Sequence, residues 1–321
     1  MPVLLVSNAT KVQVAEVLQT VREWLDNQGI QHRHIYSEQL LINNPYLEEQ
    51  SRLVSDYDLV VSFGGDGTIL RVSRMIGDSQ VPLLACNFGG MGFLSAVSAD
   101  GVIGALQAVF EGNTVTEQRT LAEIEVTYEN GSVASYRALN EAVISRGNFG
   151  RIVSLDLYVN DCFIENARGD GVLVSTATGS TAYALSAGGP LVNPLYDGLV
   201  VAPISPHSLK AFSMVTGPKD VVVLKPSLEN VQRIVLFLDG EVLWSSEAES
   251  GEAGEGDGDT EGRPGRQGSG LSPGQNNGDE NESDSPEVIS VAVRPSPVKV
   301  NLVRLKTESF YSQVARTFFG E

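Results

Sequence analysis

Apolar residues in the first third of the chain alternate between two periodicities. Val3 to Val6 is an unbroken apolar run of strand length. Val14, Val17, Leu18, Val21 and Leu25 then recur at helical spacing, and Gly29 follows where a helix C-cap belongs. Leu59 to Phe63 is a second strand-length run, broken by Gly64-Gly65-Asp66-Gly67-Thr68, after which Ile69-Leu70 onward reads as a helix. Val81 to Cys86 predicts a third strand, followed by the glycine-rich Gly89-Gly90-Met91-Gly92-Phe93, and Gly101 to Phe110 predicts a further helix. Strands alternating with helices imply a parallel sheet covered on both faces.

The pattern changes near Glu117. Ile124, Val126 and Tyr128 alternate with polar residues, and Asn130-Gly131 supplies a hairpin turn. Leu155, Leu157 and Val159 alternate likewise before Asn160-Asp161, a second turn signal. Short strands are predicted at Val221–Leu224, Ile234–Leu238, Val288–Val293 and Val298–Val303, with one helix at Thr181–Ala187. The last stretch, Ser309 to Phe319, reads as a helix with Phe310, Val314 and Phe318 four apart. The fold class is therefore α/β: an N-terminal Rossmann-like domain followed by a β-rich domain of layered sheets.

Charge changes the picture in one place. The 321 residues carry a formal net charge of −18, which excludes a broad electrostatic footprint for nucleic acid and disfavours an anionic membrane surface. Residues 246–287 hold 12 acidic and 2 basic side chains, ten glycines and no aromatic residue. Such a stretch cannot bury enough apolar area to offset its ordering entropy, so it reads as a disordered acidic insertion between two strands. No apolar run approaches the ~20 residues of a membrane span. The short apolar run at the N-terminus has no basic residues before it, unlike a signal peptide. Cys86 and Cys162 sit in apolar contexts and read as two buried free thiols, and no ligand set forms with His32, His34 and His207. These features together predict a cytoplasmic protein.

Three motifs carry chemistry. In Phe63-Gly64-Gly65-Asp66-Gly67-Thr68 a strand ends in glycines around one carboxylate. The amides of such a turn, with the start of the next helix, form an anion site. A carboxylate there suits holding Mg²⁺ or accepting a proton from a substrate hydroxyl, and a plain capping Asp is the bland alternative. The order is neither Gly-x-Gly-x-x-Gly nor a P-loop. In Leu139-Asn140-Glu141-Ala142-Val143, two polar residues are bounded by apolar ones. On a regular strand they would face opposite ways, and a bulge or strand end would bring both to one pocket. The third motif, Arg168 to Pro190, packs six hydroxyl side chains, one tyrosine and five glycines around a strand-to-helix junction. Thr178 to Ser180 at a helix start, with Tyr183 for stacking, suits recognition of a nucleoside.

In this order and spacing the three motifs resemble the NAD kinase family, of the bacterial and cyanobacterial type, strongly over residues 59–209. Gly-Gly-Asp-Gly alone is shared with lipid kinases. The Asn-Glu pair and the Gly-Asp-Gly…Thr-Gly-Ser-Thr-Ala-Tyr segment are what select NAD kinase. Pro203-Ile204-Ser205-Pro206-His207 is similar to a further family segment. The resemblance implies transfer of the γ-phosphoryl of ATP, or in some members polyphosphate, to the 2′-hydroxyl of the adenosine ribose of NAD⁺. It implies a divalent metal, with Mg²⁺ expected, and a homodimer or homotetramer. By position, Asp66 would be the general base or hydroxyl orienter. Gly64, Gly65, Gly67 and Thr68 would hold phosphate, and Phe93 would flank the dinucleotide. Asn140 and Glu141 would contact adenosine. Asp170, Thr178, Thr181, Ala182, Tyr183 and Ser186 would line the dinucleotide pocket. Residues 1–118, joined by a C-terminal helix at 306–321, would form the first domain and 119–305 the second. The chain departs from the family at Gly90-Met91, where His-Leu is commoner, at Ala177, where Pro is usual, and at Lys210-Ala211-Phe212, where Arg-Pro is usual. A lipid kinase of the same superfamily and a non-catalytic NAD(P) sensor are the alternative readings.

Overall fold

The computed structural model describes residues 1–9, 12–88, 92–147, 151–227, 234–246, 286–305 and 309–320. The acidic insertion, apart from its ends, and Gly89-Gly90-Met91 lie outside the described residues.

The first third is β1 (Val3–Ser7), α1 (Val12–Asn27), β2 (His32–Tyr36), α2 (Pro45–Leu53), β3 (Leu59–Gly64), α3 (Asp66–Ile76), β4 (Leu83–Asn87), the short β5 (Val97–Ser98) and α4 (Val102–Phe110). Strands β2, β1, β3 and β4 lie in that order and pair in parallel. Every residue of β1, β3 and β4 is buried, which is why they read as unbroken apolar runs. Alternation across the sheet then divides the core. Val3, Leu5, Val61 and Phe63 face α1 and α4, whereas Leu4, Val6 and Val60 face α2 and α3. Helix α1 buries Val14, Leu18, Val21 and Leu25, and Gly29 follows at φ 66°, the left-handed conformation a helix stop takes.

The rest is β-rich: β6 (Val115–Tyr128), β7 (Val133–Ala138), β8 (Glu141–Ser145), β9 (Val153–Val159), β10 (Cys162–Gly169), β11 (Gly171–Thr176), the one-turn helix α5 (Tyr183–Ser186), β12 (Leu199–Ile204), β13 (Met214–Val215), β14 (Val222–Pro226), β15 (Val235–Leu238), β16 (Glu241–Ser245), β17 (Val288–Arg304) and α6 (Phe310–Val314). Strands β13-β12-β11-β8-β15-β16 form an antiparallel sheet. Its inner face, with Ile144, Val172, Val174 and Leu236, packs on Ile124, Leu155, Leu224 and Val291 of the larger sheet. That larger sheet is continuous with the first third. β17 pairs along its length with β6, on its other edge with β14, and at Leu302 in parallel with Leu83 of β4. Residue 118 falls inside β6.

Four expectations are corrected. The strands predicted at 288–293 and 298–303 are one 17-residue strand whose register shifts between Pro295 and Lys299. Prolines cannot donate to a ladder, so pairing with β6 pauses there and resumes. The helix predicted at 181–187 is a 3₁₀ turn, Thr178–Thr181, followed by α5, because Ala182 at φ −102°, ψ −129° interrupts it and Gly188 at φ 81° ends it. The C-terminal helix changes from α6 into a π turn over Ala315–Phe319. Cys86 is buried, but Cys162 is exposed, since it opens β10 at the edge of its sheet directly after the Asn160-Asp161 turn.

Candidate active site

The first motif sits at the carboxyl end of β3. Gly64 is the last strand residue, and a Cβ there would come within 2.2 Å of Thr68 Oγ1, so only glycine lets the buried Thr68 fold back beneath the turn. Gly65 is the N-cap of α3 in an extended conformation, and its carbonyl accepts the first helical amide, from Thr68, at 3.0 Å. Asp66 and Gly67 therefore open the helix, with their amides in the first turn where intrahelical acceptors are missing. Asp66 is exposed to solvent, yet the chain crowds it: a Cβ on Gly92 would lie 2.8 Å from Oδ1. Loss of water around the carboxylate raises its pKa above the ordinary value.

The loop that carries Gly92 is held from the opposite end of the chain. Arg304, the last residue of β17, donates through Nη2 to the Phe93 carbonyl at 3.1 Å and through Nη1 to the carbonyls of Leu94 and Ser95 at 3.1 and 2.8 Å. The Phe93 ring meets Phe310 and Phe318, at centroid separations of 6.1 and 5.8 Å. Arg304 and the buried Arg119 share Glu117, and Arg119 also donates to Thr178 Oγ1 at 3.4 Å. The two guanidiniums hold the Glu117 carboxyl below its ordinary value against the opposing effect of burial. A cavity of about 550 Å³ opens beside this cluster, lined by Arg119, Leu195, Arg304, Phe310 and Tyr311 among others. A larger cavity of about 680 Å³ lies among Pro2, Gly29, His32 and Tyr57 and touches none of the motif residues.

The second and third motifs are packed into one unit. Asn140 and Glu141 sit at the start of β8, both buried. The Asn140 carbonyl accepts from Thr176 N at 2.8 Å and Ser175 Oγ at 3.0 Å, and Thr176 Oγ1 donates to the Leu139 carbonyl at 2.6 Å. A Cβ on Gly179 would stand 2.5 Å from the Asn140 carbonyl oxygen, so the Thr-Gly-Ser turn lies directly on the Asn-Glu segment. The Asp239 carboxylate accepts from three successive amides, Leu139 at 3.0 Å, Asn140 at 2.7 Å and Glu141 at 3.2 Å. Successive amides of a regular strand point to opposite sides, so this is a bent strand end rather than flat β-structure. Glu141 Oε2 is buried without a hydrogen-bond partner among the described residues. Burial, and to a lesser degree the Asp239 charge, push the Glu141 carboxyl up to about 8.

The structure sorts the hydroxyls of the third motif. Ser175, Thr176 and Ser180 spend theirs on internal carbonyls, Ser180 on Ala177 O at 2.7 Å, and Thr178 is buried against Arg119. Thr181 and Ala182 are half-buried, and Tyr183 and Ser186 are exposed. Ala177 is buried at φ −60°, a value proline also takes. Asp170 stands apart from the rest. It precedes Gly171, which pairs with Ser145, whereas Ser175 pairs with Glu141. Four residues of strand, about 13 Å, separate the two ends. At its own end Asp170 accepts from Arg146 Nε at 2.6 Å, a bond that holds its carboxyl below the ordinary value.

Sequence reasoning missed Arg71, Arg74, Arg119, Asp239, Glu241 and Arg304. One local signal existed: Asp239-Gly240 is a hairpin dipeptide between two apolar runs, and both residues do take positive φ, 50° and 79°. Among the described residues no three His, Cys, Asp or Glu side chains converge as a metal site, and no helix is long and apolar enough to cross a membrane.

Comparison with known proteins adds the family. The family model for the ATP-NAD kinase N-terminal domain matches residues 3–114, and that for the ATP-NAD kinase C-terminal domain matches residues 139–250. A curated NAD kinase of Caldanaerobacter subterraneus subsp. tengcongensis is 36% identical over 250 residues, which cover 74% of this chain and 83% of that one. Two solved structures share the fold. A yeast NADH kinase complexed with NADH matches at TM-score 0.76 and 23% identity over all of this chain and 87% of its own. An NAD kinase from Archaeoglobus fulgidus in complex with ATP matches at TM-score 0.64 and 20% identity over all of this chain and 98% of its own.

Proposed function

The chain belongs to the NAD kinase family, and we propose that it transfers the γ-phosphoryl of ATP to the 2′-hydroxyl of the adenosine ribose of NAD⁺, giving NADP⁺. One observation carries the reading at the level of residues. A solvent-reached carboxylate, Asp66, stands at the open start of α3, crowded by Gly92 and with its pKa raised. A 2′-hydroxyl is a poor nucleophile near neutral pH, and a carboxylate whose pKa has moved toward the working range is a better acceptor for its proton. As the hydroxyl oxygen bonds to the γ-phosphorus, the bond from that phosphorus to the bridging oxygen breaks, ADP leaves, and the hydroxyl proton passes to Asp66. The amides of Asp66 and Gly67 at the helix start favour the phosphate charge. Phosphoryl transfer needs little covalent help, so holding the two substrates in line is the larger part of catalysis.

Asn140, Glu141, Thr181, Ala182, Tyr183 and Ser186 would contact the dinucleotide, with Tyr183 and Ser186 on its accessible side and Phe93 at its flank. Asp170 would line the pocket from the other end of β11, about 13 Å from the Glu141 end, a span that an extended dinucleotide covers. A divalent metal fits as cargo of the donor phosphates. Mg²⁺ keeps several waters and would be bound largely through the substrate phosphates, which leaves the Asp66 carboxylate for the hydroxyl proton. When bound, it would neutralise charge on the transferring phosphate. The proposal extends to a cytoplasmic protein working as a dimer or tetramer, with residues 1–118 and 306–321 forming the lobe of Asp66 and 119–305 the lobe that takes NAD⁺.

The test is an assay of purified protein with Mg²⁺, NAD⁺ and ATP, reading NADP⁺ through an NADP-specific dehydrogenase, with polyphosphate as a second donor and Asp66→Asn alongside. The wild type is expected to make NADP⁺. Asp66→Asn is expected to bind NAD⁺ but turn over ~10²–10⁴-fold more slowly. Undiminished turnover in the variant removes Asp66 from the chemistry. Binding of NAD⁺ with no NADP⁺ from either donor supports a sensor instead, and phosphorylation of diacylglycerol alone supports a lipid kinase.

A further inference from the structure

Four charged side chains outside the three motifs join the helix of Asp66 to the Asn140–Glu141 segment. Asp239 is fully enclosed, and its carboxylate takes the three successive amides of residues 139–141. Its charge is met by Arg74 Nη2 at 3.7 Å. Arg74 belongs to α3, eight residues after Asp66, or about 12 Å along the helix axis. Arg74 Nη1 also donates to Glu241 Oε2 at 2.8 Å, and Arg71 Nε donates to Glu241 Oε1 at 2.6 Å. Glu241 stands two residues beyond Asp239, across the Asp239-Gly240 turn, and its Oε2 also accepts from the Ile42 amide at 3.1 Å. The β15–β16 hairpin is thus fastened to α3 through two arginines, and to the Asn-Glu segment through one carboxylate.

We propose that Asp239 is a positioning residue for the dinucleotide, acting through the Arg74–Arg71–Glu241 clamp that fixes the Asn140–Glu141 segment relative to the helix beginning at Asp66. The proposal rests on the NAD kinase reading and deepens it. Two observations take it beyond fold stability. First, three amides on one carboxylate bend the strand end, which frees Asn140 and Glu141 from the opposite-face rule of a strand. Second, Glu141 Oε2 is buried without a hydrogen-bond partner among the described residues, so a hydroxyl of the bound nucleoside would supply one. Asp239 faces Glu141 from the β15–β16 turn and supports the raised pKa of its carboxyl. Arg74 from α3 and Glu241 from β16 stand behind Asp239, and β11 opposite presents the uncharged Ser175 and Thr176. Asp239 therefore sets where Glu141 stands and adds to the burial that raises its pKa.

The experiment compares the wild type with Asp239→Asn. The amide keeps the size of the side chain, removes the charge, and turns an N–H donor toward backbone amides. Calorimetric Kd values are measured for NAD⁺ and for ATP-Mg, and kcat/KM for NAD⁺ is measured against pH. In Asp239→Asn, Kd and KM for NAD⁺ are expected to rise about tenfold, as when a buried hydrogen-bond set is broken. Kd for ATP is expected to stay within twofold. The ionisation of Glu141, seen in the wild-type pH profile and missing in Glu141→Gln, is expected to move to lower pH. Unchanged NAD⁺ affinity, equal weakening of both nucleotides, or an unmoved pH profile overturns the proposal. Should Asp239→Asn fail to fold, Arg74→Gln and Arg74→Lys carry the test. Gln is expected to weaken NAD⁺ at least fivefold and Lys to restore it to within twofold, and equal affinities in both overturn the clamp. A wild type that binds NAD⁺ without making NADP⁺ refutes the kinase reading and leaves the clamp to be judged on the Kd values. A wild type that binds no NAD⁺ overturns both.

Discussion

Replacing Glu141 by Gln keeps the shape of the side chain and removes its ionisation, so it isolates the energetic consequence of burying that carboxyl. In the folded protein the Glu141 carboxyl is pushed up to about 8 from an ordinary 4.5. Between those values the folded state holds a proton that the unfolded chain has released. Stability therefore falls as pH rises through this window, by about 1.4 kcal/mol per unit at most. From pH 5.5 to 7.5 the wild type is expected to lose about 3 kcal/mol that Glu141→Gln does not lose. For a chain of this size that is about 5 °C in Tm. The assay is thermal unfolding of both proteins without nucleotide, at constant ionic strength, followed by circular dichroism. The quantity read is the wild-type Tm minus the variant Tm at each pH. Other titrating groups, such as His34 with its burial-lowered pKa, are common to both proteins and cancel. The difference is expected to fall by about 5 °C from pH 5.5 to 7.5 and to level off above 8. Parallel curves across that range would show that Glu141 ionises like an exposed carboxylate, and the argument from its burial would fail.

Two glycine substitutions separate chemistry from packing. Gly92→Ala would set a Cβ 2.8 Å from Asp66 Oδ1. The carboxylate is the free end of a side chain and can rotate away, so Tm is expected to hold within about 2 °C while kcat falls tenfold or more. A kcat equal to wild type would show that the Asp66 rotamer is unimportant. Gly179→Ala would set a Cβ 2.5 Å from the Asn140 carbonyl oxygen and 2.3 Å from Ser175 Oγ. Backbone cannot yield as a side-chain tip does, so a loss of about 1–3 kcal/mol in urea unfolding is expected, together with weakened NAD⁺ binding. Unchanged stability would refute the close packing of the Thr-Gly-Ser turn on the Asn-Glu segment.

The parts of the fold legible in the sequence are those set by local periodicity. The buried parallel strands read as apolar runs because both faces are covered, and α1 reads as a stripe because one face is. Gly64-Gly65-Asp66-Gly67 was legible as a strand-to-helix turn because glycine has few other reasons to cluster there. What was not legible depended on partners far along the chain. Pro295 and Pro297 look like a strand break, yet β17 continues past them because β6 is long enough to pair on both sides. The hydroxyl-rich run at Ser175 to Thr181 looks like a recognition surface. Much of it instead completes the hydrogen bonding of the bent chain at Leu139 and Asn140, which sequence spacing cannot show.

The charged residues were hidden most completely, for a reason that bears on function. Arg71 and Arg74 lie on an amphipathic helix, and Glu241 opens a strand. Each is ordinary alone. Their meaning lies in meeting 167 and 170 residues apart in the chain. Buried charges without partners are costly, so removing one member leaves the others uncompensated. The set joins the helix that opens with Asp66 to the turn that grips Asn140 and Glu141. Asp66 and the Asn140–Glu141 segment are therefore tied together through one set of contacts, although the chain brings them from separate motifs. Motifs supply the groups of this site, and non-motif ion pairs fix the distance between them. Loss of Asp239 should accordingly be felt first in the alignment of NAD⁺ and only second in the reactivity of Asp66.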